Sequence, residues 1–184
     1  MPSAVRHLRA GEARAPSAPR ALRPALAPPP RRTNSPKCGH FIEFVRVGAP
    51  RYTGNGPFAS VEEARTFLEN YADYRVHGMG RWAIVAKDDG AVLDWCGLKR
   101  GVHGEVDLGY RLHRRFWGRG VATETGAGAL AYGFGPLALD RIVGRVVAEN
   151  EASHHMLRKL GMRRVADHIE AGAVWQMYAL SRGS

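Results

Sequence analysis

The 184-residue chain holds only two cysteines, Cys38 and Cys96, and no apolar run as long as a membrane span. Two cysteines far apart exclude a disulfide framework. The absence of any paired Cys/His spacing excludes a structural zinc site. Free thiols in a reducing, cytoplasmic compartment are expected, with no metal and no membrane partner. Acidic residues are scarce at the start. Residues 1–48 carry nine Lys/Arg against two Glu, whereas residues 49–184 carry eighteen Lys/Arg against fifteen Asp/Glu. The overall charge of +10 therefore resides mostly in the N-terminal segment. A nucleic-acid partner is not expected of the folded part, and a basic arm touching RNA is kept as an alternative. A hydrophobic fraction of 45% and a mean hydropathy of −0.31 suit one soluble domain with a sizeable core.

Residues 1–39 are rich in Arg, Ala and Pro, have no sustained period, and end in Pro28-Pro29-Pro30-Arg31-Arg32. They read as a disordered basic tail, or as a misassigned start or frame, with no apolar stretch for a secretory signal. The domain is placed at 40–184. Its first strand candidate is His40–Val47. Ser60-Val61-Glu62-Glu63 is a capping box opening a helix to about Tyr74, with Ala64, Phe67, Leu68 and Tyr71 as its apolar stripe. Strands are expected at Trp82–Lys87, Ala91–Leu98 and Glu105–Leu112, the first two joined by a turn at Asp88-Asp89-Gly90. A helix rich in Ala and Gly follows from about Gly120 to Gly133, then a strand at Arg141–Ala148. A short helix, Glu151–Leu160, is closed by Gly161. Two strands are expected near 163–169 and 173–180. This order predicts an α/β or α+β domain on a mixed, mostly antiparallel sheet.

Between the third of these strands and the Ala/Gly-rich helix lies Arg114-Arg115-Phe116-Trp117-Gly118-Arg119-Gly120. Glycines there let the backbone bend tightly and approach a ligand. The unpaired amides of the next helical turn favour an anion, and Arg114, Arg115 and Arg119 add charge around it. His154-His155 suggests a metal, but adjacent helical residues point about 100° apart and no third ligand is evident. Trp82, Trp95, Trp117 and Trp175 read as core or pocket wall, since no folded basic patch accompanies them.

From about Gly54 to Leu180 the chain resembles the GNAT-fold N-acetyltransferases, on the ribosomal-protein N-acetyltransferase (RimJ/RimL-like) branch. The pieces that carry the resemblance, in order, are Pro57–Ala64, Trp82–Val85, Trp95–Leu98, Val106–Tyr110, Phe116–Glu124, Asn150–Ser153 and Arg158–Met162. The resemblance implies acetyl-CoA as acyl donor, lying between the splayed strands 105–112 and 141–148. It implies a pyrophosphate cradle at Gly118, Arg119, Gly120, Val121 and Ala122, with Thr123 beside it and Tyr110, Leu112 and Trp117 along the cofactor path. Asn150 and Ser153 would meet the pantetheine arm. Many superfamily members place a tyrosine acid where this chain has Leu157, which leaves Ser153 or water to protonate the thiolate. The first strand–helix unit of the relatives, Leu-x-Leu-Arg-Pro followed by a helix, is atypical or missing here.

The implied reaction is attack of an amine on a thioester. A lysine amine with pKa near ~10.4 costs roughly 4 kcal/mol to deprotonate at pH 7, an α-amine near ~8 only about 1–1.5 kcal/mol. A single carboxylate serves the second case. Asp107 is the candidate base, on one strand face with Glu105 and Gly109. Glu105 is the reserve, and Glu124 is explained by the helix dipole. The expected function is acetyl transfer to a primary amine, of a protein N-terminus or a small molecule, by a monomer or homodimer. A catalytically silent acyl-CoA-binding module is the alternative.

Overall fold

The computed structural model describes residues 24–27, 59–87, 89–101 and 103–184; the strand expected at 40–47 lies outside the described residues. A seven-stranded mixed sheet forms the frame, in the order β1-β2-β3-β4-β5-β7-β6. Its strands are β1 (Pro24–Ala27), β2 (Arg81–Ala86), β3 (Val92–Arg100), β4 (Val106–Leu112), β5 (Arg141–Val147), β6 (Arg163–Glu170) and β7 (Ala173–Ser181). The helices are α1 (Val61–Glu69), α2 (Asp73–His77), α3 (Val121–Phe134) and α4 (Glu151–Lys159).

Within the segment 1–39, the described residues are those of β1. Pro24 to Ala27 pair antiparallel with β2 at the sheet edge. Proline cannot donate to a ladder, so it is tolerated at the first residue of an edge strand, where Pro24 stands. Pro-Ala-Leu-Ala has little strand character of its own; the exposed edge of β2 supplies the order.

The helix expected from Ser60 to Tyr74 is two helices. Ser60 caps α1, its hydroxyl accepting from the Glu63 amide at 3.0 Å, and Glu63 in turn accepts from the Ala59 amide at 2.6 Å. The helix then stops at Asn70, and α2 begins three residues on. The break sets Phe67, Tyr71 and Tyr74 in a row of tilted rings, 5.6 and 5.2 Å between centroids, and brings the Tyr74 hydroxyl to the Arg81 carbonyl. No glycine or proline marks it, so helical periodicity passes straight through.

Along β2 the alternation is strict: Trp82, Ile84 and Ala86 are buried, and the residues between them are half-buried. The buried face meets Cys96 and Leu98 of β3, Leu108 of β4 and Ile142 of β5 in one core. α3 covers that core with very little side chain between. A Cβ on Gly133 would sit 2.5 Å from Ile142 Cδ1 and 2.8 Å from Leu98 Cδ1, so the helix backbone lies almost on the sheet. The Ala/Gly face read from sequence has this use. α4 packs beside it on β5, with Leu157 against Gly144.

Neighbouring antiparallel strands pair over long registers. β4 and β5 run parallel and share a single register pair, Asp107 with Val143. Beyond that pair the strands diverge and the sheet opens.

Candidate active site

The opening contains a cavity of about 580 Å³, lined on its two strand walls by Asp107 to Tyr110 and by Arg145 to Val147. Trp95 and Trp175 wall it on one face of the sheet. Asn150, Ser153 and Leu157, from α4, wall it on the other.

Asp107 is 8% exposed and fixed by arginine. Arg81 Nη2 donates to its Oδ2 at 2.6 Å, while Arg81 Nη1 donates to the Gly97 carbonyl at 2.5 Å and to the Asp107 carbonyl at 3.1 Å. Arg145 Nε stands 3.8 Å from Oδ1. One guanidinium thus ties β2, β3 and β4 together and holds the carboxylate at the cavity. Glycine makes room for it: a Cβ on Gly109 would lie 2.5 Å from Arg81 Nη2. Glu105, the reserve base, lies away from this cavity, in a smaller pocket of about 330 Å³ with Arg100 and Arg141. The strand-face argument grouped Glu105 with Asp107, but β4 begins only at Val106.

Across the gap, the Tyr110 hydroxyl and the Ser153 Oγ are 2.9 Å apart. Burial pushes the Tyr110 phenol up from its ordinary range, and the Ser153 hydrogen bond pulls it back in part. β5 stops at Val147, and Asn150 caps α4, its Oδ1 accepting from the Ser153 amide at 3.2 Å. The cap aims Ser153 across the gap. Leu157 is buried and offers no hydroxyl. The phenol in this cavity comes instead from β4.

The glycine turn lies at the end of β4, outside the cavity wall. Gly118 and Gly120 are both left-handed, with φ of 72° and 79°, and a Cβ at either would meet nothing within 4 Å. Gly120 is the N-cap of α3 and no side chain caps the helix. The amides of Val121, Ala122 and Thr123 therefore precede the first helical bond, which runs from Glu124 N to Gly120 O. Leu112 and Val121 put their side chains in the core, leaving backbone for any ligand. Trp117 is half exposed, and its indole N–H donates to the Leu112 carbonyl at 2.7 Å, folding the turn back onto β4. Arg114, Arg115 and Arg119 are exposed around it.

Two further residues went unread in the sequence, and His154 was read only as half of a rejected metal pair. Glu170, at the end of β6, brings a second carboxylate to the cavity. Asp94, 3% exposed, takes two hydrogen bonds from Arg111 Nε at 2.8 and 3.0 Å. His154 is 2% exposed, with Nδ1 3.1 Å from the Tyr178 hydroxyl and Nε2 3.2 Å from the Ala148 carbonyl. It is a core residue whose neighbour His155 faces solvent, as successive helical positions demand. Among the described residues no group of three or more His, Cys, Asp or Glu is placed to hold a metal ion, and no helix is long and apolar enough to cross a membrane.

Residues 40–163 match the family model "Acetyltransferase (GNAT) domain". Over 117 residues, 62% of this chain and 66% of the relative, the sequence is 32% identical to the uncharacterized N-acetyltransferase p20 of Bacillus licheniformis. It is 30% identical to the uncharacterized N-acetyltransferase YoaA of Bacillus subtilis over 127 residues, 67% of this chain and 72% of that one. Among solved structures, the ribosomal-protein-S5-alanine acetyltransferase of Vibrio fischeri superposes with a TM-score of 0.70 at 13% identity, covering 89% of this chain and 94% of its own. An acetyltransferase of Agrobacterium tumefaciens superposes with a TM-score of 0.69 at 21% identity, covering 89% and 93%. These two likenesses are of fold. The chain belongs to the GNAT acetyltransferase family, and by that membership it is an acyltransferase.

Proposed function

We propose that this protein transfers the acetyl group of acetyl-CoA to a primary amine, within the RimJ/RimL-like branch and in the cytoplasm. The observation that carries this reading is the single register pair between β4 and β5, with a cavity opening beyond it from one face of the sheet to the other. An acyl-CoA approaching from the α4 face would present its thioester where an amine enters from the Trp95 face.

Acetyl-CoA supplies the activated carbonyl carbon. The chain's residues do the rest. The amides of Val121, Ala122 and Thr123 at the left-handed Gly118-Arg119-Gly120 turn hold the pyrophosphate, with Arg119 adding charge. The Tyr110–Leu112 backbone runs beside the pantetheine arm, and Asn150 borders it. Asp107, kept in place by Arg81, takes the amine proton directly or through one water. The nitrogen–carbon bond forms and the carbon–sulfur bond breaks. Ser153, hydrogen-bonded to Tyr110, returns a proton to the sulfur. Holding both reactants in the gap supplies the proximity term.

Calorimetric titration with acetyl-CoA and a thiol-release assay over a panel of amines and ribosomal-protein N-terminal peptides test the proposal. Failure to bind acetyl-CoA would falsify it. The commitment of Asp107 Oδ2 to Arg81 favours a second reading, an acyl-CoA-binding module without turnover. Tight binding with no thiol release from any amine would select that one.

A further inference from the structure

The cavity's charges have an arrangement of their own. Three arginines project on the Trp95 face of the sheet, where the register aligns Arg81 with Gly97 and Trp95 with Arg111. Arg81 is spent on Asp107 and on two carbonyls, and lies 5.2 Å from the Trp95 ring centre. Arg111 is spent on Asp94 and lies 5.9 Å from the same ring. Arg145 is different. It stands two residues past Val143 on β5, on the same face as Asp107, and its side chain is 36% exposed. Among the described residues its one ionic neighbour is Asp107 at 3.8 Å, beyond hydrogen-bond length, and that carboxylate is already neutralised by Arg81. A guanidinium with five donors and, among the described residues, no acceptor within hydrogen-bond length therefore faces the cavity. On another wall stands Glu170, whose side chain is 64% exposed and whose neighbour is His168 Nε2 at 3.5 Å.

We infer that the acceptor is a small zwitterionic amine, an amino acid or close analogue, whose carboxylate pairs with Arg145 and whose ammonium is drawn in by Glu170. The inference rests on the acetyl-transfer reading above and names its substrate class. A planar guanidinium matches a carboxylate in a bidentate fork, which gives such a pair geometric selectivity. Arg81 and Arg145 leave one surplus positive charge around Asp107, and that wall gives nothing to acceptors that bring only positive charge, as basic polyamines do.

The test compares amino acids with their own carboxamides. The ratio of kcat/KM for acid over amide is measured in the wild type and in Arg145→Gln, so that the differing basicity of the two amines cancels. The expected result is a fall of about 10- to 100-fold in that ratio, partial recovery in Arg145→Lys, and an unchanged Kd for acetyl-CoA. A tetrapeptide starting with Asp separates a free amino acid from a protein terminus; its preference over every free amino acid would overturn the inference, as would an equal ratio in wild type and variant. Binding is read separately from the fluorescence of Trp95 and Trp175 in the CoA-bound protein. Saturable, Arg145-dependent quenching by the acid without turnover would remove acetyl transfer and keep this site. Turnover of amides indifferent to Arg145 would do the reverse.

Discussion

Tyr110 and Ser153, 43 residues apart in the chain, share a hydrogen bond of 2.9 Å across the gap between β4 and α4. Neither hydroxyl alone is a comfortable proton donor to a thiolate: serine is a very weak acid, and Tyr110 has its phenol raised by burial. In the proposed reaction the two would act as a relay, Ser153 giving its proton to sulfur and taking one from Tyr110, which water restores. Ser153→Ala is expected to lower kcat by about 10²-fold with little change in the Kd of acetyl-CoA. Tyr110→Phe should lower kcat by a smaller factor, because Ser153 can then draw on water. Single-turnover rates with saturating acetyl-CoA check both. Because the phenol is raised, Tyr110 stays protonated through the neutral range, and no activity loss from this pair is expected between pH 7 and 9. Wild-type rates for both variants would remove the relay.

Gly120 caps α3 at φ 79° with no side chain on the exposed turn. A left-handed alanine costs about 1–2 kcal/mol and projects a methyl where the anion would rest. Gly120→Ala is expected to weaken acetyl-CoA binding about tenfold or more, while the melting temperature falls by only a few degrees. Since a Cβ here meets no protein atom within 4 Å, a large loss of stability would contradict the structure. Calorimetry against acetyl-CoA and a thermal melt read the two effects separately.

Gly109 offers a more indirect lever on the same site. A methyl there would fall 2.5–2.7 Å from three atoms of the Arg81 guanidinium, which would have to leave Asp107 and the Gly97 carbonyl. Gly109→Ala should therefore destabilise by about 1–3 kcal/mol and lower turnover at once, without touching the turn at Gly118 and Gly120. Arg81→Met should repeat the pattern. If Gly109→Ala melts like wild type and turns over normally, the Arg81 clamp on Asp107 has no functional weight.

Legibility in the sequence followed the range of the interaction. The alternation in β2, the Ala/Gly face of α3 and the turn at Gly118 and Gly120 are local patterns, and each stands within a residue or two of where it was expected. The meeting of Asp107, Tyr110, Asn150 and Ser153 in one cavity followed from a resemblance, since no local pattern brings β4 and α4 together. What escaped was set by partners far along the chain. Asp94 is an alternating strand residue until Arg111, 17 positions on, pairs with it. His154 looks like half of an exposed pair until Tyr178 closes over it. Glu170 reaches the cavity only because β7 turns back at Ala171 and Gly172, both left-handed at φ 50° and 78°. β1 has no signal of its own and is ordered by the strand it joins.

Asp94 also fixes a pH dependence. Burial pushes its carboxyl up to about 6, against the opposing pull of Arg111 and the Trp95 amide. In the unfolded chain the same group titrates at its ordinary 3.8. Between those values the folded protein holds a proton that the unfolded chain has released. This group's contribution therefore strengthens as pH falls from 7 through 6, is complete below about 4, and is lost again as pH rises through 6. Other carboxylates pull the opposite way, so the readout is the difference between two proteins. Asp94→Asn cannot titrate and stands in for the neutral carboxyl, so it removes this group's pH dependence. The melting temperature of wild type should therefore rise relative to that of the variant between pH 7 and pH 5, where wild type gains from protonation and the variant does not. Thermal melts at the two pH values decide it, and a wild type that loses ground to the variant on acidification would mean that the Arg111 pair, not burial, governs this carboxyl.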